Sequence, residues 1–239
     1  MLVLTFGFTL LTTDISIGRK TGQSAIRAYE SMRPGWKKLG FLTFMVPVLI
    51  MTYYAVIGGW ILKYFIVFLT GASGDAAKDS YFTSFITNTS SVWFGLIFML
   101  VTALIVYNGV EGGIERCSKF IMPVLLIMVV CIAIFSLTLK SKGADGVVRT
   151  GLDGLKAYII PDVSGLTVSR FLQVTLDAMS QLFFSLSVSM GIMITYGSYV
   201  KKDVDLNKSV AQIEVVDTVV AFLAGVMILS LIHISEPTR

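Results

Sequence analysis

Six apolar runs constrain the fold of this chain more than any other feature of its sequence. Each is close to the length of about 20 residues that a helix needs to cross a bilayer. They fall at 1–17, 41–69, 92–109, 120–139, 171–197 and 212–232. Hydrophobic residues make up 55% of the 239 residues and charged residues only 14%. Together these features predict an all-α, polytopic helical membrane protein and argue against a soluble domain.

The distribution of Lys and Arg predicts how the runs are oriented. The loop after the first run, GRKTGQSAIRAYESMRPGWKKLG, carries six basic residues against one acid, and the loops GIERCSK and YVKKDVDLNKS are also basic. Short basic loops lie preferentially on the cytoplasmic side. We therefore predict that these three alternate loops are cytoplasmic. The sequence has no basic patch interleaved with aromatic residues, and we expect no nucleic-acid partner.

The fifth run is interrupted by polar and small residues in the stretch QLFFSLSVSMG, Gln181 to Gly191. Its hydroxyls belong to Ser185, Ser187 and Ser189. One interpretation is that these small residues let neighbouring helices approach. Their clustering also fits a helix broken inside the membrane, whose freed carbonyls bind cations and whose freed N–H groups bind anions. Both interpretations remain open at this point.

Catalytic constellations are missing from the sequence once the single histidine is set aside. It contains no Ser/His pair, metal-ligand cluster or glycine loop for phosphate. Polar groups inside membrane spans instead need a partner or line a watery path. This favours a transporter over an enzyme.

Five separate motifs resemble the neurotransmitter:sodium symporters, particularly their bacterial amino-acid branch. They are TTDISIGRKTG, the pair Tyr53-Tyr54 with Trp60 following, GGIERCSKFIMP, QLFFSLSVSMGIMITYGSYVKKD and IEVVDTVVAFLAG. The resemblance covers residues 1 to about 228. It implies a LeuT-type inverted-repeat fold, in which the six runs are helices two to seven and the sixth helix is broken.

The resemblance also implies a function and a location. The full-length protein is expected to carry a neutral, hydrophobic or aromatic amino acid together with sodium by alternating access. The location implied is the plasma (inner) membrane, crossed several times, in a bacterium. Sodium is the coupling ion, and the lipid bilayer and the amino acid are the expected partners.

Five residues match substrate-binding positions of the family. Tyr54 matches a tyrosine that binds the substrate carboxylate, and Phe184 matches an aromatic lid. Ser187, Met190 and Ile50 match positions that line the side-chain pocket. Taken without the resemblance, Tyr54 is a packing or interfacial residue, and the three apolar residues are ordinary packing.

Three polar residues match the family's ion sites. Ser185 and Asp217 match ligands of the first sodium ion, and Gln181 matches a polar residue at the chloride or charge-compensation site. Ala221 occupies the position of a chloride-binding serine or a substituting acid. We hypothesise that Asp217 supplies the compensating charge, so that chloride is not required. Alternatively, Asp217 lies in the membrane interface.

Four further residues match gating or supporting positions. Asp14 matches an acid that supports the unwound part of helix six, although an interfacial acid is the simpler alternative. Tyr199 matches a cytoplasmic-gate tyrosine. Gly113 and Pro123 fit a Gly-x9-Pro pattern at which helix five unwinds; Pro removes a backbone donor and Gly lowers the cost of bending.

Both ends of the sequence suggest a partial transporter domain at 1–228. The first run begins without a signal peptide. The tail LSLIHISEPTR, 229–239, back-translates to a string that resembles a transposase-type sequencing adapter. We expect this tail to be non-native, assign no role to His233, Glu236 or Arg239, and expect the fragment itself to be inactive.

Other classes of protein remain alternatives. One is a sodium-independent transporter of the amino-acid/polyamine type, which shares the broken-helix design. Another is a non-transporting membrane scaffold or receptor. Sodium dependence of uptake and the effect of changing Tyr54 to Phe separate these from the symporter.

Overall fold

The computed structural model describes residues 2–142, 148–160 and 167–235, which are almost entirely helical. The α-helices, in chain order, are α1 (Phe8–Thr21), α2 (Ala25–Met32), α3 (Lys37–Leu69), α4 (Ser73–Ala76), α5 (Asp79–Ile86), α6 (Ser90–Tyr107), α7 (Arg116–Thr138), α8 (Gly151–Ile159), α9 (Val168–Ser185), α10 (Ile192–Gly197) and α11 (Leu206–Ser235). Two π-helical turns, Val3–Gly7 and Val110–Glu115, precede α1 and α7. The strands β1 (Lys140–Lys142) and β2 (Val148–Thr150) pair antiparallel.

Within the described residues, four helical stretches are long and apolar enough to cross a membrane. They are Lys37–Leu69, Ser90–Tyr107, Val110–Thr138 and Leu206–Ile232. Large apolar side chains on them are exposed, for example Leu69 at 70% and Phe120 at 75%. Such faces are compatible with contact to lipid tails, which are as apolar as the side chains themselves.

Two predicted runs differ from continuous spans. The run at 1–17 corresponds to a π-helical turn followed by the 14-residue helix α1. The run at 171–197 is divided, because α9 ends at Ser185 and α10 begins at Ile192. This division confirms the broken-helix interpretation of QLFFSLSVSMG, since small and hydroxyl residues tolerate the backbone conformations that a break requires.

The chain divides into two compact units, one made of residues 1–43 with 122–239 and the other of residues 44–121. In the first unit, α1, α9 and α11 contribute to a buried apolar cluster. Its members are Leu11, Ile15, Leu182, Leu186, Val188 and Val210. The helix break thus lies against the core of this unit, because Leu186 and Val188 belong to both.

Close backbone packing joins α1 to α10 in the first unit. A Cβ atom on Gly18 would collide with the carbonyl oxygen of Ile194, and one on Gly197 would collide with that of Ile15. The two glycines therefore act reciprocally, each making room for the backbone of the other helix. Small residues at such crossings let membrane helices approach closely.

The second unit contains most of α3 and the helices α4 to α6. Gly59 of α3 packs against the backbone of Gly95 in α6. Aromatic pairs flank this contact, including Trp60 with Phe82, whose ring centroids are 5.1 Å apart. This unit is held mainly by close helix packing and edge-to-face aromatic contacts.

The connections carry secondary structure that the sequence did not lead us to predict. Helices α2, α5 and α8 and the β1–β2 hairpin all lie between the apolar runs. Helix α8 begins with a capping box, in which Thr150 N donates to Asp153 Oδ2 at 3.0 Å. Short polar helices of this kind arise from local caps rather than from long apolar patterns.

The predicted non-native tail is described in part. Residues 229–235 continue α11, and Ser230 Oγ donates to the carbonyl oxygen of Gly151 at 3.0 Å. Glu236 and Arg239 lie outside the described residues, as does the side chain of His233.

Candidate functional site

The break between α9 and α10 is built from an alternating pattern of residues. Ser187, Ser189 and Gly191 have positive φ angles of 52°, 61° and 73°. Between the serines, Val188 is fully buried, and Leu186 before them is only 2% exposed. A left-handed conformation costs a non-glycine residue about 1–2 kcal/mol. Burial of the intervening apolar side chains offsets that cost and fixes the course of the chain.

Asp14 of α1 supports this break directly. Its side chain is 6% exposed, and Oδ2 accepts a hydrogen bond from the backbone N–H of Ser189 at 2.7 Å. A break leaves N–H groups without their helical acceptors, and a carboxylate is a strong replacement acceptor. The resemblance implied a contact of this kind for Asp14, and its role in transport stays a prediction.

Ser185 and Asp217 meet at the end of α9. Ser185 Oγ donates to Asp217 Oδ1 at 2.7 Å, and so joins α9 to α11. Asp217 is half-buried. A carboxylate and a hydroxyl in contact at the end of a helix offer oxygen ligands of the type that hard cations prefer. Their chemistry fits the sodium site that the resemblance implies.

A cavity of about 530 Å³ borders this pair in the first unit. Gln181, Ser185, Asp217 and Ala221 line it, so all four positions matched to ion or charge-compensation sites face one space. Its remaining lining is mostly apolar and includes Val3. The sequence placed these residues in two different runs, and in the structure the Ser185–Asp217 hydrogen bond and the shared cavity bring them together.

One acid at the site was missed by the sequence analysis. Glu214 of α11 is only 2% exposed, and its Oε1 has no hydrogen-bond partner within the described part of the chain. The available signal was its position inside an apolar run, three residues before Asp217. Intramembrane acids are costly and usually functional, so this position could have been singled out.

The five predicted substrate residues fall in both units. Phe184, Ser187 and Met190 lie at or beside the helix break in the first unit. Ile50 and Tyr54 lie on α3 in the second unit, where the ring of Tyr54 contacts that of Tyr53 at 5.0 Å. A common substrate pocket for the five residues stays a prediction.

The basic end of the first unit contains Tyr199 and the loop before α11. Tyr199 follows α10 and is exposed. In the same loop, the Lys202 carbonyl accepts a hydrogen bond from the Arg19 guanidinium, which ties the loop to α1. Burial raises the pKa of the nearby Tyr29 phenol in α2, and the negative charge of Asp14 raises it further. The gating role of Tyr199 stays a prediction.

Helix α7 is continuous through Pro123, one of the two residues at the predicted point of unwinding. Gly113 lies in the π-helical turn before α7, close to the carbonyl of Ile105, and Pro123 lies inside α7. The distortion is therefore concentrated around the glycine, and the helix continues through the proline. A role of these two residues in opening a water path stays a prediction.

Comparison with known proteins gives a consistent family. The profile of the sodium:neurotransmitter symporter family matches residues 1–91 and 81–236. An uncharacterized sodium-dependent transporter of Bacillus subtilis, YhdH, is 32% identical over 95% of this chain and 49% of its own length. An uncharacterized sodium-dependent transporter of Haemophilus influenzae is 30% identical over 95% of this chain and 50% of its own length.

A more distant relative carries its substrate class in its name. The rat sodium-dependent neutral amino acid transporter B(0)AT3 is 27% identical over 94% of this chain and 40% of its own length. The chain thus spans about half the length of the curated relatives it matches. The family match extends over nearly all of the sequence, and the relatives are membrane transporters rather than enzymes. The chain belongs to the sodium:neurotransmitter symporter family.

Proposed function

We propose that the chain is part of a sodium-coupled amino-acid symporter. The observation that carries this proposal is the Ser185–Asp217 hydrogen bond, which lies at the end of a broken helix and beside a cavity. A continuous helix satisfies its own backbone groups, whereas a broken one presents oxygen atoms and N–H groups to a ligand. Sodium and an amino acid are the two ligands that this arrangement suits in a family of sodium-dependent transporters.

The proposed cation position combines a charge with a helix end. The Asp217 carboxylate supplies the negative charge, and the Ser185 hydroxyl adds a neutral oxygen. The carbonyl end of α9 lies at the same place, where the helix dipole favours a cation. Sodium is cargo in this proposal, and these residues bind and release it once in each transport cycle.

The proposed substrate is a neutral amino acid with a hydrophobic or aromatic side chain. Phe184 and Met190 offer apolar contacts at the break, and Ser187 adds a small hydroxyl; the family resemblance assigns Ile50 and Tyr54 of α3 to the substrate as well. The N–H groups of a broken helix suit a carboxylate. The rat relative is a neutral amino acid transporter, which supports a neutral substrate.

We further propose that transport does not require chloride. Ala221 has no side chain that can hold an anion, and the acid Asp217 lies one helical turn away on α11. An acid at this place supplies a fixed negative charge where a chloride ion would otherwise balance sodium. Replacement of chloride by gluconate should leave sodium-driven uptake unchanged, and a loss of uptake would contradict this point.

The proposed setting is a longer bacterial protein in the inner membrane. In that protein, residues 1–228 provide helices two to seven, and residues 229–239 are an artefact of sequence assembly. The remaining helices complete the substrate and sodium sites. Binding of sodium and substrate then favours an occluded state, from which both are released inside by alternating access.

The test is sodium-driven uptake by the full-length protein that contains this chain, reconstituted in liposomes. Radiolabelled leucine and tyrosine should accumulate under an inward sodium gradient and not under a potassium gradient. Changing Tyr54 to Phe should weaken uptake, whereas the same change at the neighbouring Tyr53 serves as the matched control. Uptake that is independent of sodium would overturn the proposal in favour of the amino-acid/polyamine type.

A further inference from the structure

Glu214 is a buried acid that the proposed site does not use. Its side chain is 2% exposed, and Oε1 has no hydrogen-bond partner among residues 2–142, 148–160 and 167–235. Within the same residues, no Lys, Arg or His forms an ion pair with it. An uncompensated buried carboxylate is strongly unfavourable, and acids inside membrane spans commonly pair with another group or mark an ion pathway.

The surroundings of Glu214 leave room for its carboxylate in a specific place. Oε1 faces the π-helical turn before α1, where it lies 2.9 Å from the point that a Cβ atom on Gly7 would occupy. The side chains of Leu182 and Leu186 border the same point. The absence of a side chain at Gly7 therefore makes the position of this oxygen possible.

Glu214 also belongs with the Ser185–Asp217 pair. It precedes Asp217 by three residues on α11, so the two acids lie about 4.5 Å apart along the helix axis. Like charges at such spacing repel each other, and a cation between or beside them removes that repulsion. Leu186, which borders the Glu214 carboxylate, directly follows Ser185.

The direction of α11 places Glu214 on the cytoplasmic side of Asp217. The helix begins after the basic loop that precedes Leu206, and Glu214 lies nearer to that loop than Asp217 does. Basic loops are cytoplasmic by the positive-inside rule. Glu214 therefore lies at a more cytoplasmic level than Asp217, although it does not line the cavity that borders Asp217.

We propose that Glu214 is a further sodium-binding residue, whose unpartnered oxygen holds sodium on the cytoplasmic side of the Ser185–Asp217 pair. The inference rests on the proposed function, since it places a second carboxylate on the path of the same ion. Sodium suits this place because it carries the single positive charge that one additional carboxylate calls for.

The experiment measures equilibrium binding of ²²Na⁺ to the purified full-length protein by dialysis, without any amino acid. Changing Glu214 to Gln should raise the sodium concentration for half-saturation about tenfold or more, as losses of metal-site groups commonly do. Glu115→Gln is the matched control, because Glu115 is exposed and pairs with Lys119 at 2.6 Å. It should bind sodium as the wild type does.

A second pair of variants tests the same site without removing the acid. Gly7→Ala places a methyl group against Oε1 and Leu186, and it should weaken sodium binding by a smaller factor. Gly74→Ala is its control, because a Cβ atom on Gly74 meets nothing within 4 Å. If thermal unfolding shows that Glu214→Gln does not fold, the sodium affinities of Gly7→Ala and its control Gly74→Ala test the role of Glu214 instead.

The outcomes separate this inference from the proposed function. Wild-type sodium affinity in Glu214→Gln, or in Gly7→Ala where that pair decides, overturns the role of Glu214 and leaves the symporter proposal standing. A wild-type protein that binds no sodium overturns both. If a basic side chain elsewhere in the full-length protein neutralises Glu214, the Gln variant loses stability and keeps its sodium affinity, which also overturns the inference.

Discussion

Helix α3 and the α9–α10 pair differ in how they accommodate residues that disfavour a regular membrane helix. Helix α3 contains Pro47 and is continuous over 33 residues, and its Thr52 hydroxyl donates to the carbonyl of Leu49 in the same helix. The α9–α10 pair is interrupted without any proline, and its Ser185 hydroxyl donates to another helix. A break is therefore set by whether neighbouring helices accept the freed groups, more than by a helix-breaking residue.

The largest predicted effect comes from separating α1 from α10. Gly18→Ala brings a methyl group into the carbonyl of Ile194, so the helices must move apart. Overpacking of this kind costs about 1–3 kcal/mol, and we expect the upper end of that range because backbone atoms cannot rotate away. Unfolding of the full-length protein in mixed SDS micelles measures the loss. Wild-type stability in this variant would contradict the close contact, and Gly74→Ala should be neutral.

The next effect concerns the acid that supports the break. Asp14→Ala leaves the N–H of Ser189 without its acceptor and should lower the free energy of unfolding by about 2 kcal/mol, since hydrogen bonds to charged groups are the stronger ones. Unfolding of the full-length protein in mixed SDS micelles measures this loss as well. The exposed Asp177 of α9 provides the control, because Asp177→Ala should change stability by less than about 0.5 kcal/mol. Equal losses of unfolding free energy in Asp14→Ala and Asp177→Ala would show that the hydrogen bond from Ser189 to Asp14 does not stabilise the break.

A smaller effect is expected from the hydroxyl at the end of α9. Ser185→Ala removes the hydroxyl that donates to the Asp217 carboxylate and that is proposed to bind sodium, and it should weaken sodium binding about fivefold, the factor that corresponds to about 1 kcal/mol. Thr52→Ala in α3 removes a hydroxyl that bonds only within its own helix, and it should leave sodium binding unchanged. Dialysis with ²²Na⁺ measures both variants. Similar losses of sodium affinity in Ser185→Ala and Thr52→Ala would show that the hydroxyl at the helix break has no special role.

The smallest effect is a dependence on pH outside the membrane-spanning runs. Burial first, and the Asp14 charge second, raise the pKa of the Tyr29 phenol above its unfolded value of about 10. The resulting stability is fully present below pH of about 10 and is lost as the pH rises through the folded pKa. Asp14→Asn removes the charge and should lower the pKa of Tyr29, which ultraviolet titration of the phenolate can follow. A titration curve that does not move would show that burial alone acts.

Much of the candidate site was predictable because its residues are chemically out of place. Hydroxyls inside an apolar run indicated the break, and Asp217 was recognisable as an acid within another run. Glu214 shared that signal and was nevertheless missed, since a sequence does not show which acids are partnered. The hydrogen bonds to Asp14 and Asp217 span 175 and 32 residues of sequence, and their geometry depends on packing.

Several structural elements were not predictable from apolar patterns. The helices α2, α5 and α8 are short and lie between the apolar runs; α8 has a capping box, whereas α2 and α5 have no side-chain cap, and all three contact longer or neighbouring helices. The run at 1–17 was expected to be one helix, yet a π-helical turn precedes α1 there. Gly7, the last residue of that turn, packs against Glu214 and Leu186 of other segments, and an apolar pattern does not contain this contact.

The sequence by itself determined the class of protein, the positions of its apolar helices and the site of the helix break. These follow from local composition, because burial in a bilayer requires long apolar runs and a break requires residues that tolerate it. Only the tertiary structure decided which groups satisfy the break, that Ser185 meets Asp217, and that Glu214 Oε1 is buried with no hydrogen-bond partner among the residues that the structure describes. Those facts depend on the approach of α1, α9 and α11, and no single segment contains that information.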